Sequence, residues 1–571
     1  MPGFFISNMG TEIELVTPYE ETCIKEELTG NQFVVKRNTL VKFLNDKVFI
    51  QNDNYIFICE GVLLNKTELL TEYQASDMAS LIFEMRTREG EMFFSKFRGS
   101  FSGALYEKNT DEWLIWTNHF GDNAVFYYQS NGKYDIGSQV NYLLDSLKLS
   151  GISITFDEMS AYHMLTYGFM GDNRTYANEV KRLLPGHYIK IAGSTFSVKK
   201  YWEAKHNAID VSGMGYEDII ERVDELFRKA ITREYEKDCE YGYKHIAELS
   251  GGLDSRMSAW VANSLGYSDI LTVTFSQSNY LDEIIAKEIA AELKTEHMIR
   301  TLDDATFLFD IDTIIKMNYG LALYSSISCS KRLFEALNMK RYGLIHTGQI
   351  GDVILGSFVK SEKELKDSSL DGLYSRRLIG RIENACSPHH YSNKELYLLN
   401  VRGLLGATTS HLVLRNFTEV SSPFLDLDFF EFCYSIPISY RLKHRIYKDW
   451  IRKKYPRAAE FIWEKEGVPV TASSTRALIH KIIKKWPDGV RMILGVPIDF
   501  QAKGKTMNPL SFWWKTNEAL REFMQEYFDN NFDNPQFSPE LKEDIKQLFD
   551  QGTVLEKTQA LTVLSATRYY F

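Results

Sequence analysis

Four stretches between residues 31 and 138, NQFVVKRN, YIFICEG, GALYEKNTDEWLIWTN and VFYYQSNGKYDIGS, alternate apolar with polar positions. A period of two built from valine, isoleucine and aromatic side chains predicts half-buried strands. Asn131-Gly132, set between two such runs, predicts a tight hairpin turn. Residues 1–205 are therefore expected to form an α+β domain of antiparallel sheets.

After KRLLPGHYIKI and VKKYWEAKH the period changes. GYEDIIERVDELFRKAITREYEK carries apolar residues at helical spacing, and the strand HIAEL follows it. ILTVTF, the helix DEIIAKEIAAELK, HMIRTL and YGLIH continue the alternation. Strands alternating with helices predict a parallel sheet, so residues 206–571 are expected to be an α/β domain. Toward the C-terminus SFWWKTNEALREFMQEYF reads as helical packing with Trp513 and Trp514 in the core, and Ser538-Pro539 reads as a helix cap.

A chain of 571 residues exceeds what one core supports, which agrees with two domains. Its net charge of −10 argues against a general nucleic-acid or anionic-membrane surface and leaves small charged ligands open. Cys23, Cys59, Cys239, Cys329, Cys386 and Cys433 form no CxxC pair and predict free thiols in a reducing compartment. The opening MPGFFISNMG lacks a basic signal-type region, and no apolar run approaches the roughly 18 residues of a spanning helix. A soluble, cytoplasmic protein is expected.

The chemistry concentrates at HIAELSGGLDSRMSAW, where a strand runs through Ser250-Gly251-Gly252-Leu253-Asp254-Ser255 into a helix. Backbone N–H groups at such a turn, helped by the helix dipole, favour an anion. Gly251 and Gly252 let the backbone approach it, and Ser250 and Ser255 add hydroxyl donors. Asp254 would repel a phosphate unless a divalent cation stood between them, so the loop predicts a magnesium nucleotide. The Walker pattern GxxxxGK[ST] is absent.

Ser250 to Ser255 resembles the pyrophosphate loop of the ATP pyrophosphatases, in the form carried by the asparagine synthetase family. TGQIGD at Thr347 to Asp352 is similar to that family's second loop, and SPFLD, YKDWIR, WEKEGVP, LLPGHY and YW resemble its other landmarks. The resemblance implies an Ntn-hydrolase-like first domain and a second domain of the adenine nucleotide α-hydrolase type with its pyrophosphate loop. It implies a carboxylate that attacks the α-phosphate of ATP, then an amine that displaces AMP. By position, Asp254 and Asp352 would hold Mg2+, and Ser250, Gly251, Gly252 and Ser255 would cradle pyrophosphate. Thr347, Gly348 and the backbone around Phe275 would line the nucleotide. Lys465 would stabilise developing negative charge, and Lys448 and Arg452 would add charge toward the phosphates. Asp426 reads as a helix cap or a substrate wall.

The first domain departs from the family pattern. The family begins Met-Cys-Gly, with the cysteine attacking glutamine, whereas Pro2 stands here and carries no nucleophile. CEGVLLN, IWTNHFGD and GSQ replace the family's glutamine grips, and Gln349 replaces a glutamate and cannot act as a general base. The resemblance thus implies an amide ligase without its own glutaminase. Its carboxylate could belong to a surface polysaccharide sugar, a peptide closed into a macrolactam or an amino acid closed into a β-lactam; a non-catalytic homologue is the rival reading. The SGGLDSR and TGQIGD spellings look most like members associated with polysaccharide biosynthesis.

Overall fold

The computed structural model describes residues 3–15, 23–30, 32–382, 388–473 and 506–571, together with Thr475 and Ile479. Pro2 and Cys386 lie outside the described residues; the other five cysteines are free thiols. Among the described residues no helix is long and apolar enough to cross a membrane.

The N-terminal part contains twelve described strands, β1 Gly3–Ser7, β2 Cys23–Thr29, β3 Val34–Leu40, β4 Phe49–Gln51, β5 Tyr55–Leu63, β6 Gly99–Glu107, β7 Glu112–Thr117, β8 Phe126–Ser130, β9 Lys133–Gly137, β10 Lys181–Arg182, β11 His187–Ala192 and β12 Thr195–Lys200. They form two six-stranded sheets in the orders β10-β8-β9-β1-β3-β2 and β12-β11-β7-β6-β5-β4. Neighbouring strands are antiparallel throughout, as the period of two predicts. Phe4, Ile6, Ile58, Ala104 and Ile115 from both sheets share one core, which makes the two sheets packed layers. Asn131 and Gly132 both have positive φ, 49° and 76°, the geometry the β8–β9 hairpin turn demands.

In the C-terminal part β13 Lys244–Glu248, β14 Ile270–Ser276, β15 Glu296–Thr301, β16 Tyr342–His346 and β17 Val420–Ser421 make one sheet in the order β15-β14-β13-β16-β17. Every pairing in it is parallel. The fifth strand has only two residues, too short for any periodic signal. The helices that matter to the site are α1 Tyr216–Glu240, α2 Leu253–Ser264, α3 Leu281–Leu293, α4 Tyr324–Glu335, α5 Ser410–Leu414 and α6 Arg445–Lys454. SFWWKTNEALREFMQEYF is two helices that part at Asn517, whose side chain caps the second. Trp513 is buried, Trp514 packs half-buried against the same core, and Ser538 caps the helix Pro539–Gln551 through the Leu541 N–H.

A buried ion network fixes α1 to the sheet. The two ring nitrogens of His346 face Glu234 at 3.2 Å and Asp238 at 2.8 Å, and Asp238 also faces His245 at 2.9 Å. Burial opposes charge on His346, yet the two carboxylates prevail and push it up to about 9. Asp238, His245 and His346 have the spacing of metal ligands. With both ring nitrogens of His346 turned to carboxylates of α1, the group as it stands in this structure ties the helix to β13 and β16.

Candidate active site

The turn from β13 into α2 lies at the carboxyl end of the central strand of the parallel sheet, where α/β sheets bind ligands. Gly252 is the helix cap in extended backbone. The Ser250 and Ser255 hydroxyls are 2.9 Å apart, and the Ser255 hydroxyl accepts the Ser250 N–H at 3.0 Å. The Gly251 N–H donates to Asp282 at 2.8 Å, a carboxyl that burial pushes up to about 6. A Cβ on Gly251 would stand 2.9 Å from the Cβ of Glu464, so the loop carrying Lys465 leaves no room for a side chain there.

The second loop, after β16, closes on the first. A Cβ on Gly348 would lie 2.4 Å from the Ser255 backbone nitrogen, and one on Gly351 would lie 2.8 Å from the Asp254 carboxyl carbon. Glycine at these two positions is what allows the loops to touch. Asp352 donates its N–H to Asp254 at 2.9 Å, and the Tyr447 hydroxyl of α6 donates to the other Asp254 oxygen at 2.8 Å. Burial, and after it the neighbouring Asp352 charge, push Asp254 up to about 8. A carboxyl buried beside a second carboxylate is a place where a cation would relieve the repulsion.

Lys465 supplies one positive charge, with Nζ 3.3 Å from Asp352. Its side chain is 53% exposed, which leaves the ammonium able to meet a ligand. Lys448 and Lys465 both lie over Trp463, 5.9 and 5.8 Å from the ring centroid, and Lys448 is 3.8 Å from Glu466. Thr347 is buried with its hydroxyl on the Ser421 carbonyl, and Phe275 stands half-buried at the end of β14.

The structure therefore brings together Ser250, Gly251, Gly252, Asp254, Ser255, Thr347, Gly348, Asp352 and Lys465, with Lys448 beside Lys465. Arg452 follows Lys448 by one turn of α6. Its guanidinium donates to the Val470 carbonyl at 2.8 Å and to Asp449 at 3.0 Å, holding α6 to the segment after Lys465. Asp426 is a cap, accepting from the Asp428 and Phe429 N–H groups and pairing with Arg233 at 2.7 Å.

Sequence reasoning gives Tyr447, Asp282 and Arg256 no role at the site. Arg256 is fully buried and donates to the carbonyls of Gly251, Ala458, Phe461 and Ile462, tying the anion loop to the segment that presents Lys465. Its signal was a charged residue on the first turn of a helix that is otherwise buried.

Beside the loops lies a cavity of about 350 Å3, lined by Glu248, Phe275, Thr347, Gln349, Arg402 and His411 among others. Gln349 donates its amide to the Ala407 carbonyl at 2.9 Å. In the first domain, a cavity of about 40 Å3 at the head of β1 lies between Gly3, Glu60, Gly61, Asn123 and Ser138, with Arg415 of the second domain on its wall.

Two family models match the chain, a glutamine amidotransferase domain over residues 45–202 and an asparagine synthase domain over residues 222–459. The chain is 19% identical to a putative glutamine-hydrolysing asparagine synthetase of Methanocaldococcus jannaschii, over 81% of this chain and 80% of that protein. It is 22% identical to a glutamine-hydrolysing asparagine synthetase of Bacillus subtilis, over 46% of this chain and 42% of that protein, so the match spans less than half of that relative. Among solved structures, a glutamine phosphoribosylpyrophosphate amidotransferase from B. subtilis aligns with 53% of this chain and 85% of its own at 8% identity and a TM-score of 0.24. An ammonia-dependent NAD synthetase from Campylobacter jejuni aligns with 25% of this chain and 61% of its own at 16% identity and a TM-score of 0.18.

Proposed function

From the premise that the chain belongs to the asparagine synthetase family, carrying both of that family's domains, we propose that it is an ATP-dependent, AMP-forming amide ligase. A substrate carboxylate attacks the α-phosphate of ATP, the bond to pyrophosphate breaks, and an amine or free ammonia then displaces AMP from the acyl-adenylate. Ser250, Gly252 and Ser255 receive the pyrophosphate at the start of α2. Lys465 stabilises negative charge that develops on the reacting phosphoryl and carbonyl oxygens. Asp254 and Asp352 would hold Mg2+, which when bound neutralises polyphosphate charge beside two carboxylates.

The single observation carrying this reading is the Asp254–Asp352 pair set at the anion loop within reach of Lys465. A phosphate-binding turn with only a structural role has no use for two adjoining carboxylates.

The nitrogen comes from an external amine. A cavity needs about 10–15 Å3 to hold one water, so the cavity of about 40 Å3 at the head of β1, room for about three waters, falls short of glutamine. Pro2, outside the described residues, offers no thiol or hydroxyl in any case. We place the carboxylate on a sugar of a surface polysaccharide, from the SGGLDSR and TGQIGD spellings, and the reaction in the cytoplasm.

ATP–pyrophosphate exchange across a panel of uronic acids, peptides and amino acids tests the ligase. Carboxylate-dependent exchange supports it. Magnesium-dependent ATP binding with no exchange for any carboxylate would favour a non-catalytic nucleotide-binding homologue.

A further inference from the structure

The cavity of about 350 Å3 extends well beyond the anion loop. Thr347 marks its inner end, beside Gly348, the residue pressed against Ser255. Gln349 comes next, and its amide bond to the Ala407 carbonyl at 2.9 Å ties the second loop to the segment Leu399–Thr409. Past Gln349 the lining continues through Phe169, Tyr374, Gly406 and Arg402, none of which belongs to the parallel sheet or to its two loops.

Close contacts fix this outer wall. Gly168 has a φ of 77°, and a Cβ there would stand 2.1 Å from the Tyr374 ring, so glycine is what lets the ring press on the chain. The Tyr374 and Ser375 N–H groups both donate to the Thr166 carbonyl at 3.0 Å. A Cβ on Gly406 would meet the Arg402 carbonyl at 2.6 Å and the Phe169 ring at 3.1 Å. Arg402 lies in a π-helical turn, Leu399–Leu404, closed by the Leu405 N–H on the Asn400 carbonyl at 2.9 Å. Such turns are frequent at functional sites.

Arg402 makes no hydrogen bond or ion pair among the described residues. Its guanidinium stands over the Phe358 ring, 5.6 Å from the centroid, and its stem packs on Gly372. The acids around it serve other cations: Asp371 faces Lys394 at 3.3 Å and Arg376 at 3.7 Å, and Asp367 faces Lys394 at 2.7 Å. A guanidinium positioned by packing, with its donors unspent, suits an anion that offers two oxygens in one plane.

In the reading proposed above, the ATP phosphates lie at the start of α2 and the reacting carboxylate lies with them. Arg402 is at the opposite end of the cavity, so the anion it suits belongs to the far end of the acid substrate. We infer that this substrate carries a second anionic group, a phosphate or a carboxylate, and that Arg402 selects for it. Tyr374 and Phe169 then wall the body between the two charges. The inference rests on the ligase reading and narrows its substrates to doubly anionic acids.

ATP–pyrophosphate exchange by the full chain in Mg2+ compares acids matched in skeleton, glucuronic acid with its 1-phosphate and monomethyl glutarate with glutarate. The first pair adds a phosphate and the second a carboxylate, which distinguishes the two sources of charge. The doubly anionic member of an accepted pair should have a KM lower by about tenfold or more, the scale of a hydrogen bond to a charged group. Arg402→Gln should raise that KM until the two members are alike, with kcat changing much less. Arg402→Lys, which keeps the charge without the fork, should retain part of the preference; an arginine with only a structural role would not respond to the second charge of the substrate. Equal KM values within an accepted pair, a preference undiminished in Arg402→Gln, or exchange confined to singly charged acids overturns the inference. Absence of exchange with every acid, these pairs and the panel above included, removes the ligase reading and the inference with it, a result distinct from exchange without discrimination.

Discussion

Asp352 donates its backbone N–H to a carboxylate oxygen of Asp254 at 2.9 Å, and the two side chains belong to loops that follow different strands of one parallel sheet. The contact couples the anion loop to the second loop through the residue that carries the second carboxylate. Removing charge from Asp254 while keeping its shape should therefore separate chemistry from folding. Asp254→Asn retains an oxygen for the Asp352 N–H and a partner for Tyr447, so far-UV circular dichroism should match the wild type. Magnesium-dependent pyrophosphate release should be abolished. Full turnover in a correctly folded variant sinks the metal assignment.

The same pair predicts how stability depends on pH. The Asp254 carboxyl sits at about 8 in the folded protein against an ordinary value of 3.8. The native state then holds a proton that the unfolded chain has released, so its contribution to stability is full below about pH 4 and is lost as pH rises toward 8. Asp282, raised to about 6, and Glu248, raised to about 7, act in the same direction. Urea unfolding in a chelator should show a midpoint that falls across this window, less steeply in Asp254→Asn. Magnesium should restore the alkaline side in the wild type alone.

Much of this arrangement was legible in the residues, for physical reasons that differ by element. The strands around β13 announce themselves by apolar runs broken at helix starts, and Asn131-Gly132 announces a turn because its positive φ values suit few other pairs. The anion loop is readable because glycine, serine and aspartate perform their chemistry within six consecutive residues. Tyr447 and Asp282 were not readable, because each reaches the loop through space from a distant helix whose own period explains it as core or cap. Arg452 has partners that the sequence does not announce. A basic residue in a basic helix suggests phosphate, while a backbone carbonyl at Val470, eighteen positions on, claims the guanidinium.

Lys465 is the next test. Its ammonium touches Asp352, lies over Trp463 and is half exposed, so ATP binding through the loop and the metal site should survive its loss. Lys465→Ala should bind ATP within a few-fold of wild type and react at least about 100-fold more slowly, the scale of losing one preorganised electrostatic contact. Single-turnover rates set beside calorimetric affinities distinguish the two effects. A collapse of affinity with an unchanged rate per bound enzyme makes Lys465 a binding residue only.

The two domains are pinned by Asp122, which accepts from Ser100 and Asn118 of its own domain and faces His411 at 3.2 Å and Arg415 at 3.0 Å from the other. Asp122 and Arg415 are 4% and 8% exposed. Breaking such a buried pair strands the remaining charge, which destabilises by about 3–5 kcal/mol. Asp122→Ala and Arg415→Ala should each lower the urea midpoint, and the double variant should recover part of the loss. Additive single effects would show that the two groups do not act as a pair.

The prediction most exposed to failure concerns nitrogen. The wild type should release no glutamate from glutamine, and Pro2→Cys should not create that activity. A thiol needs a pocket that orients the amide, and positioning of this kind is worth several orders of magnitude in rate. Around the head of β1 the chain offers instead Gly3 packed on Ser138, a Phe4 N–H bonded to the Ser138 hydroxyl at 2.9 Å, and Glu60 held by Thr39 at 2.8 Å. Arg415 lines the remaining space and is committed to Asp122 and Ser100. Opening the space with Arg415→Ala in the Pro2→Cys background gives the harder test, since it removes that wall but supplies no group to grip the amino-acid end of glutamine. Glutamate production should stay at background in all three proteins. Its appearance in the wild type with glutamine alone overturns the external-amine reading, and its appearance only in the double variant shows that Arg415 alone had closed a competent pocket.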